Sequence, residues 1–421
     1  MSGYAIYRYF GARPSKWQKG GWHNFLRARL SAVAPTPGLP VKPTGCDLLH
    51  IPVGPATFLW HAALMGYGLP AHYASAYLLK GKAMSSADEI ELRRWALARA
   101  ELIEAAYEIT IYGSSTLIVR RPIYELLESS ERGLVSYLLG NAFAEVCVPA
   151  IRDGNEYVTG PLYHSSLLEQ AAKIGVEIEY YGGNRIDLVA FGVTRSASFS
   201  LGLHLVECKG VENIYESWIK AIRQCMSVKR CRFKGGIWTR PASMTTSTTF
   251  HGGNVVRNSL GPVGPGSRCA LTRITHRSSW WADLWDRLMH NGPLSASDAS
   301  PGRSQDAYAV VGLRLLATAL VVRAANRVNR GDTLTFFRLS HSERSEGPQL
   351  EAAIPTRILD AANDFLGSVG EGIQERSARV QALSELAVHA LELPRIDAPA
   401  AYRWSPSDSW LAFRESSPEE P

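Results

Sequence analysis

The sequence predicts an α/β protein whose central region runs helix–strand–strand–strand–helix–strand. Two apolar strand patterns with acids embedded in them, Arg185–Phe191 and Leu203–Cys208, predict the middle of this order. An amphipathic helix pattern follows directly at Asn213–Val228. We therefore divide the chain into four parts. An N-terminal α+β region spans 1–120 and an α/β domain spans 121–240. A basic loop or linker rich in Gly, Ser and Thr spans 241–278, and a mainly helical region spans 279–421.

The composition is that of an ordinary globular protein. The 421 residues are 46% hydrophobic and 20% charged, which excludes wholesale disorder and predicts about two or three domains. No apolar run reaches the ~18–20 residues that would span a bilayer, so we expect no membrane partner. The first ten residues lack the layout of a signal peptide, and the six cysteines form no CxxC pair. We therefore expect free thiols and a cytoplasmic location.

The N-terminal region combines a basic, aromatic-rich opening with regular structure, and we interpret it as a possible substrate-binding domain. A long helix is predicted over Ala87–Ala106, starting with a capping box formed by Ser86 and Glu89. A hairpin is predicted from the strand patterns Glu108–Tyr112 and Thr116–Arg120.

The remaining elements follow from periodicity and from Gly and Pro positions. In the α/β domain we predict a helix at Pro122–Gly140 and a strand at Phe143–Ile151. We also predict an inserted helix at Pro161–Ile174 and a final strand at Cys231–Thr239. In the C-terminal region they are helices at Trp280–Asn291, Asp306–Ala325 and two between Pro355 and Leu393, with one strand at Thr333–Leu339 and a polar tail after Ser405.

Positive charge is concentrated in two stretches, although the net charge is only +6. Residues 1–46 carry seven basic residues and no acid, and 217–282 carry eleven and no acid. A phosphate-facing surface is the simplest use of such a stretch, and a solvated basic face without a ligand is the alternative. The expected nucleic-acid-binding residues directly follow the site described next: Lys220, Arg223, Lys229, Arg230, Arg232 and Lys234.

The chemistry-bearing group consists of two acids and a lysine on neighbouring strands. Asp187 lies inside the first apolar strand, and Glu207 and Lys209 share one face near the end of the second. Buried carboxylates are costly unless they are paired or bind a cation, so the set predicts a divalent metal site for phosphodiester hydrolysis. Of the ten lysines, only Lys209 has an acid two positions before it. A set of edge-strand salt bridges is the structural alternative.

These residues resemble the active-site motif of the PD-(D/E)XK nuclease superfamily. Asp187 followed by Glu207-Cys208-Lys209, in the predicted order of elements, is similar to the pattern of restriction endonucleases, Holliday-junction resolvases and RecB-like nucleases. The resemblance covers roughly 122–240. It implies a restriction-endonuclease-like core.

The resemblance also implies an activity and a role for each motif residue. The activity is that of a Mg²⁺-dependent nuclease, with Mn²⁺ as an alternative cofactor. Asp187 and Glu207 would be metal ligands, the Cys208 main-chain carbonyl a further ligand, and Lys209 would position the nucleophilic water. Ile186 stands where the motif's name has proline.

Two further positions are candidate catalytic residues. Glu131 interrupts an apolar stripe on the first helix of the α/β domain, and superfamily members often have a helix glutamate facing the metal. Glu145 competes with it for this role, and a partly exposed acid is the bland alternative. Gln224 lies on the later helix, where RecB-like members carry a glutamine with a tyrosine four residues on. Val228 replaces that tyrosine, and a solvated polar residue is the alternative for Gln224.

The resulting functional prediction is a metal-dependent endonuclease that hydrolyses phosphodiester bonds in DNA. One alternative is a nucleic-acid-binding subunit of a larger complex with a silent nuclease fold. A second is an RNA-directed nuclease, because groove shape and 2′-hydroxyl contacts are not readable from the sequence. Cutting both strands usually needs two sites, so a homodimer or a partner protein is possible.

Overall fold

The structure is a computed structural model of the 421-residue chain. It describes 5–10, 55–64, 69–112, 115–148, 152–153, 156–165, 176–180, 185–194, 200–211, 217, 220–221, 224–225, 227–233, 238, 241, 243–250, 256–258, 261–263, 268–275, 304–340, 349–371, 375–392, 397–404 and 410–414.

The described helices, α1 to α7, are Pro55–Leu64, Leu69–Lys80, Ser86–Ala106, Ser129–Cys147, Ser304–Arg323, Thr356–Glu371 and Arg376–Glu392. The first nine strands, β1 to β9, are Ala5–Phe10, Tyr107–Tyr112, Ser115–Arg120, Arg152–Asp153, Glu156–His164, Val176–Tyr180, Leu188–Thr194, Ser200–Val211 and Val228–Phe233. Strands β10 to β18 are Ser243–Phe250, Val256–Asn258, Gly261–Val263, Arg268–Thr275, Arg327–Arg330, Leu334–Leu339, Leu350–Pro355, Tyr402–Trp404 and Ala412–Arg414.

A seven-stranded sheet with the order β1-β13-β10-β8-β7-β5-β4 forms the centre of the molecule. Strands β5, β7 and β8 are antiparallel neighbours, and β10 lies parallel to β8. A parallel neighbour requires a crossover connection. The described positions within 217–225, which we call the crossover segment, are helical and supply it. The predicted α/β class is confirmed, with α4 before the three antiparallel strands and the crossover segment before the parallel strand.

The first helix of the α/β domain differs from its prediction. A 3-10 turn occupies Pro122–Leu126, and α4 then runs through Cys147. The predicted strand Phe143–Ile151 was therefore wrong over its described positions up to Val148. A short apolar run cannot be assigned to strand or helix by periodicity alone. Here the residues continue the helix, and Phe143, Ala144 and Val146 are all buried.

The inserted helix and the last predicted strand also needed correction. The beginning of Pro161–Ile174 belongs to strand β5, and 166–175 lie outside the described residues. The predicted strand Cys231–Thr239 is shifted to β9, which pairs with β6 in a separate two-stranded ribbon. The charged side chains of β9 lie opposite acids of β6. A position inside the central sheet would not provide these acidic partners.

The region 241–278 was wrongly predicted to be a loop or linker. It contains β10 to β13, and two of these strands belong to the central sheet. The Ser and Thr residues that indicated a loop lie inside the sheet, where Thr245, Thr246 and Ser247 are buried. Threonine is β-branched and favours strands, so composition alone was misleading.

The N-terminal region shows its predicted helix and hairpin, but its capping box is shifted and it contains an additional strand, β1. The capping box of α3 is formed by Ser85 and Asp88, one residue before the predicted pair Ser86 and Glu89. Strands β2 and β3 pair antiparallel, which confirms the hairpin. Strand β1 pairs with β13, so the N-terminal region contributes the edge of the central sheet.

The C-terminal region was predicted to be mainly helical, but it is α+β. Its predicted helices at Asp306–Ala325 and after Pro355 are confirmed as α5, α6 and α7, and its predicted strand as β15. A five-stranded sheet with the order β14-β15-β16-β18-β17 accompanies them, and it includes β18 in the predicted polar tail. The predicted helix Trp280–Asn291 lies outside the described residues.

One continuous apolar core joins the regions. The Trp60 ring on α1 packs against the rings of Phe337 and Phe413 of the five-stranded sheet, with centroids 5.5 and 5.2 Å away. Helix α5 is buried on several sides and contacts both β5 and β8 of the central sheet. Within the part of the chain that the structure describes, no helix is long and apolar enough to cross a membrane.

Candidate active site

Asp187 and Glu207 meet at the place where β7 begins beside β8. Leu188 is paired with Val206, and this register places Asp187 directly opposite Glu207. The backbone N–H of Asp187 donates to Glu207 Oε2 over 3.2 Å, and the N–H of Cys208 donates to Asp187 Oδ2 over 3.0 Å. The two carboxylates are therefore held by reciprocal hydrogen bonds from the backbone of the neighbouring strand.

Lys209 completes the cluster on the same face of β8. Its ammonium contacts Glu207 Oε1 and lies 3.9 Å from Asp187 Oδ2. The Glu207 side chain is fully buried, whereas Asp187 and Lys209 remain 17% and 25% exposed. The cluster is thus partly open to solvent, and a ligand can reach the side chains of Asp187 and Lys209.

The electrostatics of this cluster shift two pKa values. Burial and the neighbouring Asp187 raise the pKa of Glu207 to about 8, against the opposing effect of Lys209. Burial lowers the pKa of Lys209, but the charges of Glu207 and Asp187 outweigh it and raise that pKa overall. At neutral pH Lys209 is therefore an ammonium and not a proton acceptor.

Two neighbouring elements fix the backbone of the site. From the end of β5, the Ser165 N–H donates to the Asp187 carbonyl over 2.9 Å, and its hydroxyl donates to the Ile186 carbonyl over 2.5 Å. On the other face of the sheet, α4 lies so close to β8 that a Cβ on Gly210 would be 1.7 Å from the Ser136 carbonyl oxygen. The segments carrying Asp187 and Lys209 are thus each held against another element.

The crossover segment adjoins the site and brings Gln224 near it. The Gln224 side-chain amide donates to the Arg185 carbonyl over 3.4 Å, two residues before Asp187. Cys225 is fully buried and its thiol donates to the Thr245 carbonyl over 3.9 Å. Burial raises the pKa of Cys225, and the charges of Glu207 and Asp187 raise it further, so the thiol stays neutral.

The two alternative helix glutamates lie in different surroundings. Glu131 is exposed in the first turn of α4, where its carboxylate accepts the Glu128 N–H over 2.9 Å and forms a capping box. Glu145 is fully buried and its Oε2 lies 2.7 Å from His61 Nδ1 and 3.1 Å from Arg314 Nη2. Burial raises the pKa of Glu145, but Arg314 and His61 outweigh it and lower that pKa. Both acids have structural partners away from Asp187 and Glu207.

Four of the six predicted nucleic-acid-binding residues are described, one in the crossover segment and three on β9. Lys220 is exposed, and Lys229, Arg230 and Arg232 are partly exposed on the β6–β9 ribbon. Arg223 and Lys234 fall outside the residues whose side chains are described. The basic stretch is not isolated, because acids that precede it in the sequence lie on β6 beside it.

The donor set suits a hard divalent cation. Two carboxylates meet, and burial together with the neighbouring Asp187 raises the pKa of Glu207, so a bound cation would favour the ionised form of both acids. Among the described residues, no three His, Cys, Asp or Glu side chains converge. In the predicted set, the third protein ligand is the main-chain carbonyl of Cys208. Asp187, Glu207 and that carbonyl would hold Mg²⁺ or Mn²⁺.

Three residues near the site were missed by sequence reasoning. Ser165 holds the Asp187 backbone, Cys225 contacts the Thr245 carbonyl on β10, and His164 pairs with Leu188 at the end of β5. Burial lowers the pKa of His164, with Asp187 acting against it. The helix predicted over Pro161–Ile174 concealed His164 and Ser165.

Comparison of the chain with protein-family models, curated proteins and solved structures found no match to any of them.

Proposed function

We propose that the protein is a metal-dependent nuclease that hydrolyses phosphodiester bonds in DNA. The observation that carries the proposal is the cluster of Asp187, Glu207 and Lys209. Each of its two carboxylates accepts a hydrogen bond from a backbone N–H of the adjacent strand. The order of elements around it supports the restriction-endonuclease-like core that the motif implies, with β10 in the place of the fourth strand. Basic residues follow the site in sequence and would hold the phosphate backbone.

In this proposal Lys209 stabilises negative charge. Because its pKa is raised, it remains protonated at neutral pH and does not take a proton from water. Its side chain is 25% exposed, so its ammonium can donate to a water molecule and to an oxygen of the scissile phosphate. Lys209 therefore orients the nucleophile and offsets the charge that develops on the phosphate.

The carboxylates complete the proposed site. Asp187 and Glu207 would hold the cation with the Cys208 carbonyl, and Glu207 must lose its proton when the cation binds. Bound Mg²⁺ or Mn²⁺ would supply Lewis-acid polarisation of the phosphate. Ser165 and the reciprocal hydrogen bonds keep the carboxylates in place before substrate arrives.

A cleavage assay tests the proposal. Purified protein is incubated with supercoiled plasmid, branched DNA, single-stranded DNA or RNA, in Mg²⁺, Mn²⁺ or EDTA. We expect metal-dependent cutting of DNA that Lys209→Ala reduces by at least about 10³-fold while DNA binding is kept. The matched control is Lys82→Ala, which removes an exposed lysine before α3. Equal cutting by wild type and Lys209→Ala refutes the assignment of the site, and preferred cutting of RNA changes the substrate.

A second candidate is a nucleic-acid-binding subunit without activity of its own. The contact of Lys209 with both acids favours it, because a cluster that neutralises its own charge can persist without a metal. Calorimetric titration with Mg²⁺ and Mn²⁺ separates the two candidates. Metal binding lost in Asp187→Asn supports the nuclease. Absence of metal binding, together with salt-sensitive DNA binding, supports the subunit.

A further inference from the structure

The β6–β9 ribbon carries a compact set of paired charges beside the candidate active site. Glu177 lies directly opposite Arg232, and Glu179 directly opposite Arg230, so all four side chains share one face. Arg232 Nε donates to Glu177 over 2.5 Å, and Arg230 Nε donates to Glu179. Each arginine on this face therefore has its own carboxylate partner.

A β-bulge brings a third cation to the same place. The register shifts between Glu179 and Tyr180, which leaves Lys229 as an extra residue opposite them. Lys229 Nζ consequently reaches Glu179 Oε1 at 2.6 Å, although its neighbour Arg230 binds the same carboxylate. One carboxylate thus occupies two of the three cations.

The arginines are also held in position by an aromatic ring. The guanidinium carbons of Arg230 and Arg232 lie over the Trp238 ring, 4.6 and 4.3 Å from its centroid. Stacking of this kind orients a guanidinium and leaves its edge N–H groups for an anion. The five charged side chains are 27% to 39% exposed, so an anion from solvent can reach them.

The ribbon adjoins the catalytic acids at two points. The Ile186 N–H donates to the Tyr180 hydroxyl at the end of β6 over 3.4 Å, next to Asp187. Strand β9 begins three residues after Cys225, whose thiol donates to the carbonyl of Thr245 on β10, beside β8. The ribbon that carries the charged face is therefore joined directly to the segment that carries Asp187.

We propose that Glu177 and Glu179 act as internal competitors of phosphate. They occupy Lys229, Arg230 and Arg232 until the backbone of a DNA substrate displaces them. Carboxylate and phosphate both accept hydrogen bonds from a guanidinium, so the exchange preserves the number of hydrogen bonds. Because displaced carboxylates stay close to the incoming phosphates, they weaken DNA binding and limit it to substrates that contact the whole face. This inference rests on the proposed function, since it needs a nucleic-acid substrate.

Binding of a fluorescent 30-base-pair DNA duplex, measured by anisotropy in EDTA at several salt concentrations, tests the inference. We expect Glu177→Gln with Glu179→Gln to tighten binding about five- to thirty-fold at low salt. The slope of log Kd against log salt should steepen by up to about 1.8, because the net positive charge that the face presents to DNA rises by two. Each single variant should give about half of the change in log Kd, which keeps the test valid if the double variant unfolds.

The matched control removes the same charge elsewhere. Glu351→Gln with Asp360→Asn removes two acids that pair with arginines of the five-stranded sheet. We expect this control to change Kd by less than about twofold. Equal effects of both double variants, or none from the ribbon variant while wild type binds DNA, overturn the inference alone. Failure of the wild type and of every variant to bind DNA overturns the proposed function as well.

Discussion

The close approach of α4 to β8 leads to a specific prediction for Gly210→Ala. An added Cβ would lie 1.7 Å from the Ser136 carbonyl oxygen and 2.5 Å from its carbon. A non-bonded carbon–oxygen contact needs roughly 3.2 Å, so helix and strand must separate by about 1.5 Å. The obstructing atoms are backbone and cannot rotate away. Gly140 lies in the same interface, where a Cβ would be 2.7 Å from the Gly210 nitrogen.

The expected cost follows from this displacement. Overpacking of a buried interface costs about 1–3 kcal/mol, and a clash with backbone belongs at the upper end. A loss of about 3 kcal/mol corresponds to a decrease of roughly 3–4 °C in Tm for 421 residues that unfold together. Lys209 precedes Gly210, so the same displacement should move it and lower the cleavage rate by about 10²-fold.

Differential scanning calorimetry and the cleavage assay measure these two effects. The matched control is Gly133→Ala, because Gly133 lies on the same helix and a Cβ added there would have no atom within 4 Å. Alanine is the better helix former by about 1 kcal/mol, so the control should keep or raise Tm. If Gly210→Ala keeps the Tm and cleavage rate of the wild type, the close approach of α4 to β8 is wrong.

Two further predictions concern buried acids. The pKa of Glu207 is raised to about 8 from its ordinary value of 4.5, so the folded chain holds a proton that the unfolded chain has lost between these pH values. The free energy of unfolding of the metal-free protein should therefore fall as pH rises through this window, and Glu207→Gln should flatten the dependence measured by denaturant titration. Glu145→Gln leaves Arg314 buried without a full counter-charge and should cost about 3–5 kcal/mol in the same titration. The control for Glu145→Gln is the exposed pair of Asp360 with Arg330, since Asp360→Asn should cost less than about 1 kcal/mol. Equal costs for Glu145→Gln and Asp360→Asn would contradict the second prediction. A pH dependence of unfolding that is unchanged in Glu207→Gln would contradict the first.

The buried Glu145 group also explains how three regions are joined. Its carboxylate lies between His61 on α1 and Arg314 on α5, and each of these helices belongs to a different part of the chain. One carboxylate oxygen, Oε1, has no hydrogen-bond partner among the described residues. A fully buried acid in this position is unfavourable unless both partners are present. Its retention therefore depends on the packing of α1 and α5 against α4.

Local sequence patterns were sufficient to predict an element when the interacting residues are near in sequence or share a regular strand. Alternation placed Glu207 and Lys209 on one face, and the apolar runs identified β7 and β8. The long helix α3, the β2–β3 hairpin and α5 were also recognisable, because each has a continuous periodic pattern. The acid pair could be predicted for the same reason, since adjacent strands bring their acids together.

Only the tertiary structure determined which distant segments meet. The Ser- and Thr-rich segment of β10 indicated a loop, but pairing with β8 and β13 buries its hydroxyls in the sheet. The basic strand β9 indicated an open phosphate surface, yet Glu177 and Glu179 lie opposite its cations. Short strands and charged faces carry too little local information, because their environment depends on long-range pairing. The sequence by itself thus determined the acids and lysine of the site, while the fold decided what surrounds them.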